Sequence, residues 1–276
     1  MTSSLPKLGI IAGSGIAPKR VIEACRAQGR PFFVICLEGQ ADKDVAGDAP
    51  HAWLPLGAGS RLREISKAEK LEEIVMIGAV RRPSLLELKP DWLSVKIAAK
   101  IGLNSMGDDG LLRAVGKAVE EECGVRVIAA HEILGGILLK AGPLGKIAPD
   151  AQAQVDIERG ITVARKLGEA DVGQSVIVQQ GIVLGVEAIE GTDALIARCA
   201  GYRREGPGGV LVKLAKPQQD ERFDLPTIGP DTVTAAARAG LIGIAAQAGR
   251  SLLIDRDDVR KLADSAGLFV MGIDGA

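Results

Sequence analysis

The chain has 276 residues, of which 34 are Lys or Arg and 35 are Asp or Glu, leaving a formal net charge of -1. With no basic excess, and with aromatics limited to four Phe, two Trp and one Tyr, it lacks the charge and the stacking platforms of a nucleic-acid binder. Two histidines exclude a histidine-rich metal centre, while 47% hydrophobic residues and 35 glycines suit an α/β protein of two domains.

The N-terminus, Met-Thr-Ser-Ser-Leu-Pro-Lys, has no signal-peptide core, and no apolar run reaches the length of a membrane span. A soluble protein is expected, for which a membrane surface stays accessible. Lys7 to Ala12 reads as a buried strand, followed by Gly13-Ser14-Gly15, a helix from Pro18 to Gln28, and a second strand from Phe32 to Leu37. Strand, Gly turn, helix and strand make a βαβ unit whose turn would let backbone N–H groups approach a phosphate. The dinucleotide fingerprint is only partial: Pro18 holds the third glycine position, and Glu38 stands where a ribose-binding acid would sit. A tight turn without ligand is the alternative.

Ser60 to Glu73 is expected to be helical and Ile74 to Gly78 to be a strand, ending in Ala79-Val80-Arg81-Arg82-Pro83. In a parallel sheet the two arginines fall on the same edge as the Gly-rich turn, as an anion site or as a solvated strand end. Pro90 to Leu103 predicts a basic amphipathic helix with Trp92, Leu93, Ile97 and Ile101 near one face, more often core than a lipid contact. Gly107-Asp108-Asp109-Gly110 caps a helix to Glu122, and Val125 to Ala130 is a further strand, ending at His131-Glu132. Cys25, Cys36, Cys123 and Cys199 form no Cys-x-x-Cys pair, so buried thiols in a reducing cytoplasm are expected.

Residues 1–140 therefore read as a Rossmann-like domain, 141–149 as a linker, and 150–276 as a mixed α/β domain. The second half opens with a polar-faced helix, Asp150 to Lys166, carrying Gln152, Gln154 and Asp156. A hairpin around Gly181 follows, then a helix capped by Glu190-Gly-Thr192-Asp193. From Gly208 to Thr232 a short strand at Val210-Leu211-Val212 leads into a Pro-braced charged loop. That loop holds Lys213, Lys216, Asp220, Glu221, Arg222 and Asp224 before an Ala-rich helix capped by Asp231 or Thr232. A charged loop leaving a strand for a helix is where α/β proteins hold ligands; cations there suit phosphate oxygens and a carboxylate suits a divalent metal. A solvated loop of compensating charges is the plainer reading.

Five motifs carry a family resemblance. They are Leu-Gly-Ile-Ile-Ala-Gly-Ser-Gly-x-x-Pro at 8–18, Gly-Ala-Val-x-Arg-Pro at 78–83 and Gly-Asp-Asp-Gly-Leu-Leu at 107–112. The others are Gln-Gly-x-Val-Leu-Gly-Val-Glu-Ala-Ile-Glu-Gly-Thr-Asp at 180–193 and Val-Lys-x-x-Lys-Pro-x-Gln-Asp-x-Arg-Phe-Asp-Leu-Pro-Thr-Ile-Gly at 212–229. Together they resemble the UDP-2,3-diacylglucosamine pyrophosphatases of lipid A biosynthesis, in the form that replaces the calcineurin-like enzyme in some Gram-negative bacteria.

The resemblance implies a magnesium-dependent (Mg2+) hydrolase releasing 2,3-diacylglucosamine 1-phosphate (lipid X) and UMP. It implies two domains with the ligand in a crevice between them, at the cytoplasmic face of the inner membrane, and it admits a homodimer. By the same resemblance Asp224 takes the metal or the water, with Asp220 and Glu190 as further metal ligands, and Lys213, Lys216 and Arg222 stabilise phosphate charge. Gly13, Ser14, Gly15, Ala79, Val80, Arg81, Arg82, Gln152, Thr192 and Asp193 are the expected substrate-binding residues. Rival readings are a nicotinamide-dependent oxidoreductase and a non-catalytic carrier of nucleotide sugars or lipids.

Overall fold

The computed structural model describes residues 5–81, 90–95 and 108–274, and the chain divides into two compact units. Unit 1 is Met1–Gly135 together with Asp220–Asp224; unit 2 is Gly136–Gln219 with Leu225–Ala276.

Unit 1 is built on five parallel strands, β1 (Leu8–Ala12), β2 (Phe32–Leu37), β3 (His51–Leu54), β4 (Glu73–Ile77) and β5 (Arg126–Val127), in the order β3-β2-β1-β4-β5. Every residue of β1 is buried, as its uninterrupted apolar run predicts for the centre of a parallel sheet. Helices α1 (Ala17–Ala27), α2 (Gly59–Ala68) and α3 (Asp108–Cys123), with the short α4 (Ala130–Leu134), complete it. Val119 of α3 and Ile65 of α2 pack with Ile11, Phe33, Ile35 and Ile74 of the sheet. The strand order reverses between β1 and β4, so their carboxyl ends face the switch point where open α/β sheets take ligands.

Strand β3 was not expected: His-Ala-Trp-Leu is too short and mixed to stand out, and it pairs along one edge only. Of the strand expected from Val125 to Ala130, only Arg126 and Val127 join the ladder. Glu132 accepts the N–H of Ala129 at 2.8 Å and turns the chain into α4, so His131 lies in a helix. Of the helix expected from Pro90 to Leu103, the described part shows Trp92 70% exposed and Leu93 1% exposed, so these neighbours do not share a face. Ile97 and Ile101 lie outside the described residues, as do Arg82, Pro83 and Gly107.

Unit 2 has a six-stranded sheet in the order β6-β13-β11-β9-β7-β8. Its strands are β6 (Gly142–Pro143), β7 (Ser175–Gln179), β8 (Ile182–Val186), β9 (Val210–Lys213), β11 (Gly243–Gln247) and β13 (Phe269–Ile273). β9, β11 and β13 run parallel, while β7 and β8 form the expected antiparallel hairpin. A separate pair joins β10 (Thr227–Ile228) to β12 (Leu252–Leu253).

The period-two alternation of the strands sorts two cores. Val176, Val178, Val210 and Val212 face helix α5 (Ala151–Glu169) with Ile157 and Ala164. Ile177, Leu211 and Ile244 face α6 (Thr192–Cys199), α7 (Pro230–Arg238) and α8 (Arg256–Ala266).

The stretch expected as a linker, 141–149, belongs to unit 2. Gly142 and Pro143 pair antiparallel with Gly272 and Met271, and a proline is tolerated there because β6 is an edge. Helix α7 starts differently from the expected cap: Gly229 is the N-cap, Pro230 opens the helix, and the Thr232 hydroxyl accepts the Gly229 N–H at 3.4 Å.

Candidate active site

In unit 2 the carboxyl end of β9 delivers Lys213, whose position in the alternation turns it to the α6 side. Its ammonium is buried and donates to the Thr192 hydroxyl at 3.0 Å and to the Thr227 carbonyl at 3.2 Å. Thr192, the first residue of α6, donates its own hydroxyl to Glu187 Oε1 at 2.8 Å. The Ser175 hydroxyl lies 3.3 Å from that of Thr192, and Glu187 Oε2 accepts the Gln174 N–H at 3.2 Å. Both bonds of Lys213 go to neutral oxygens, so its charge has no direct carboxylate partner among the described residues. A largely buried cation at a strand's carboxyl end, bonded directly only to neutral oxygens, attracts phosphate more strongly than an exposed lysine does. On the other face, a cavity of about 450 Å³ at the ends of β9 and β11 is lined by Arg165, Glu169, Leu214, Ala215, Pro217, Gln247 and Arg250.

The rest of the charged loop is sorted by its partners. Lys216 is buried and ion-paired with Asp171. Arg222 grips Asp220 with two parallel bonds, Nε to Oδ1 at 3.0 Å and Nη2 to Oδ2 at 2.8 Å, and reaches Glu120 of α3 at 3.2 Å. Hydrogen bonding from Arg222 holds the Asp220 carboxyl below its ordinary range, and the same bond raises Arg222. Arg222 also lies 5.0 Å from the ring centroid of Phe223, and that ring packs into the unit 1 core. Gly116 of α3 makes room for it: a Cβ there would stand 2.0 Å from the Phe223 Cζ. So Asp220–Asp224 is anchored in unit 1, with Asp224 and Glu221 exposed.

At the carboxyl ends of β1 and β4 the Gly-rich turn is closed by the protein itself. Gly13 donates to the Ile77 carbonyl at 2.9 Å, Ser14 to the Ala79 carbonyl at 2.9 Å, and Gly15 to the Asp42 carboxylate at 3.0 Å. Gly13 is required by close packing, since a Cβ would stand 2.5 Å from the Ala79 carbonyl oxygen. Thus Gly13, Ser14, Gly15 and Ala79 come together, with Val80 and Arg81 exposed beside them and the Arg81 N–H on Gln40 Oε1 at 2.8 Å. The N–H groups expected to cradle phosphate are already bonded, and an anion at Gly15 would have to displace Asp42.

Gln152 is not brought to Lys213. It bonds Asp156 at 3.3 Å, and Asp156 accepts the Gln180 and Gly181 N–H groups of the hairpin turn, at the end of β7 away from Ser175. Thr192 is at Lys213, whereas Asp193 is exposed in the first turn of α6. Glu190 is held by Arg198 at 2.8 Å and by the Ala188 N–H at 3.1 Å, which keeps its carboxyl below the usual range.

Among the described residues no three His, Cys, Asp or Glu side chains gather into a metal-binding group. Of the expected metal ligands, Asp220 is engaged by Arg222 within unit 1 and Glu190 by Arg198 within unit 2. Magnesium asks for less: one or two carboxylates, with substrate phosphates and water completing its octahedron. Asp224, exposed on the 220–224 segment, is the carboxylate that the family resemblance assigns to that role. Glu187, Ser175 and Thr227 escaped sequence reasoning, and the only signal for Glu187 was its place in the 180–193 motif.

Similarity to known proteins spans both units. The LpxI N-terminal domain matches residues 7–137 and the LpxI C-terminal domain matches residues 140–271. A UDP-2,3-diacylglucosamine pyrophosphatase LpxI of Caulobacter vibrioides is 41% identical over 275 residues, covering 97% of this chain and 98% of that protein. Among solved structures, the Bordetella bronchiseptica enzyme WbmG with NAD and UDP is 16% identical, covering 99% of this chain and 84% of that one, at a TM-score of 0.37. The Thermus thermophilus UDP-glucose 4-epimerase with NAD is 13% identical, covering 97% and 86%, at a TM-score of 0.34. At such scores they establish no common fold.

Proposed function

Because the chain belongs to the LpxI family, carrying both of its domains, we propose that it hydrolyses the pyrophosphate bond of UDP-2,3-diacylglucosamine. The carrying observation is the 41% identity to a UDP-2,3-diacylglucosamine pyrophosphatase across 98% of that protein's length. The products are 2,3-diacylglucosamine 1-phosphate and UMP.

Hydrolysis adds water to one phosphorus and expels the other phosphate, so negative charge grows on both sides of the breaking bond. Lys213 is assigned to that charge: it is buried, cationic and bonded only to neutral oxygens. Arg222 holds Asp220 and braces the segment that carries Asp224, and Lys216 holds Asp171, so these two cations act mainly through position. Asp224 is assigned to magnesium or to the attacking water, as an exposed carboxylate at a specified position of the 212–229 motif, where Glu221 stands at an unspecified one. A magnesium ion bound there would neutralise phosphate charge and acidify a coordinated water.

The acyl chains of the substrate call for a membrane surface, which the protein would meet peripherally; the family resemblance puts the reaction at the cytoplasmic face of the inner membrane. Among the described residues no helix is long and apolar enough to cross a membrane.

The nicotinamide reading is disfavoured by Pro18 at the third glycine position and by Asp42 at the Gly15 N–H, where a dinucleotide's pyrophosphate would have to approach. Purified protein incubated with UDP-2,3-diacylglucosamine, with and without magnesium, tests the proposal. Release of UMP supports it. Tight substrate binding without UMP would leave a carrier, and release independent of magnesium would remove the metal.

A further inference from the structure

The side chains of Lys213, Thr192, Glu187 and Ser175 form a connected set whose hydrogen atoms can be assigned from bonding capacity. An ionised carboxylate only accepts, so the 2.8 Å contact between Thr192 Oγ1 and Glu187 Oε1 takes the single hydrogen of the Thr192 hydroxyl. The Thr192 oxygen is then left with two lone pairs and meets two donors. One is Lys213 Nζ at 3.0 Å; the other must be Ser175 Oγ at 3.3 Å, which fixes Ser175 as donor. Glu187 is itself held by the Gln174 N–H on its second oxygen, and its own backbone N–H donates to the Ser175 carbonyl at 2.8 Å. Glu187, Ser175 and Lys213 are 6%, 0% and 6% exposed, and Thr192 between them is half-buried.

We propose that Glu187 is a positioning residue for Lys213. It orients the Thr192 hydroxyl so that its oxygen faces the ammonium, and with the Thr227 carbonyl this fixes two of the three N–H directions of Lys213. The third direction is thereby set for a phosphate oxygen of the substrate. The inference rests on the assignment of Lys213 to phosphate charge.

Replacing Glu187 by Gln does not break the set: with its NH2 toward Thr192 the amide oxygen still accepts the Gln174 N–H, Thr192 turns its hydrogen to Ser175, and Lys213 keeps its lone pair. Replacing Glu187 by Ala removes both contacts and leaves the Thr192 side chain without its anchor. A purely structural role predicts lower stability with intact turnover. A positioning role predicts the reverse, because misdirecting one charge-stabilising donor lowers kcat by roughly tenfold to a hundredfold while leaving KM near its starting value.

The test measures kcat and KM for UMP release, and Tm, in E187A, T192V, T192S and K213M, together with the E187A/K213M double variant. Expected are a kcat loss of about tenfold or more in E187A and T192V at near wild-type KM, recovery of most of that loss in T192S, and no further loss when E187A is added to K213M. If E187A does not fold, the T192V and T192S pair decides alone. Wild-type kcat in E187A or T192V, or additive losses in the double variant, would overturn the positioning role even with K213M inactive. Wild-type turnover in K213M would instead overturn the reading of Lys213 itself, and this inference with it.

Discussion

Replacing Gly116 by Ala probes how the 220–224 segment is held. In a helix interior the change should gain up to about 1 kcal/mol from propensity. Here the added Cβ would stand 2.0 Å from Phe223 Cζ and 2.3 Å from Cε1. The ring must retreat by roughly 1.5 Å to recover a carbon–carbon separation of about 3.5 Å. Overpacking of this kind costs about 1–3 kcal/mol, so the net loss of stability is about 0–3 kcal/mol and Tm falls by a few degrees.

The effect on turnover should be larger. Phe223 adjoins Arg222, whose bonds to Asp220 and Glu120 would move with the ring, and Asp224 is the next residue. A displacement of about 1 Å in a catalytic group lowers rate by as much as a hundredfold, so kcat should drop by about tenfold or more. Measuring Tm and UMP release on one preparation separates the two effects. A folded Gly116→Ala protein with kcat within about twofold of wild type would refute the view that this anchor positions the catalytic carboxylate.

Asp171→Asn should strand the buried Lys216 ammonium and lower stability by about 2–4 kcal/mol, read from the urea midpoint, while leaving KM largely unchanged. Unit 1 should also lose stability in acid. Burial alone would raise the Glu73 carboxyl, but hydrogen bonds from Arg126 and Arg30 outweigh it and hold it below its ordinary 4.5. A depressed folded value means that the stabilisation is present above pH 4.5 and is lost as pH falls through the lower folded value. The Tm of Glu73→Gln should therefore vary less with pH than that of wild type across that window, and an unchanged pH profile would contradict the assignment.

Much of the architecture is visible in the sequence because local pattern and fold agree. The apolar runs at Leu8–Ala12 and Phe32–Leu37, the Gly turn between β1 and α1, and the hairpin at Gly181 all appear where residue type places them. What escaped notice depends on distant contacts. Gly116 and Phe223 are far apart in sequence, so nothing local announces that Asp220–Asp224 packs into unit 1. Glu132 ends the last strand of unit 1 through one backbone hydrogen bond, and β6 forms through a two-residue edge pairing with too little pattern to read.

The site divides in the same way. Lys213 and Thr192 stand out in their motifs and come together in the fold. The burial of Glu187, and the pairing of Asp220, Glu190 and Lys216 with neighbouring charges, follow only from three-dimensional packing.

UMP release by wild type and by Asp224→Ala, measured side by side with UDP-2,3-diacylglucosamine and magnesium, tests the central claim most directly. Wild type should release UMP. The variant should keep its Tm and its substrate binding while losing about a thousandfold or more in kcat. No UMP from wild type, or a variant kcat within about tenfold of wild type, roughly 1.4 kcal/mol in the barrier, would contradict the account.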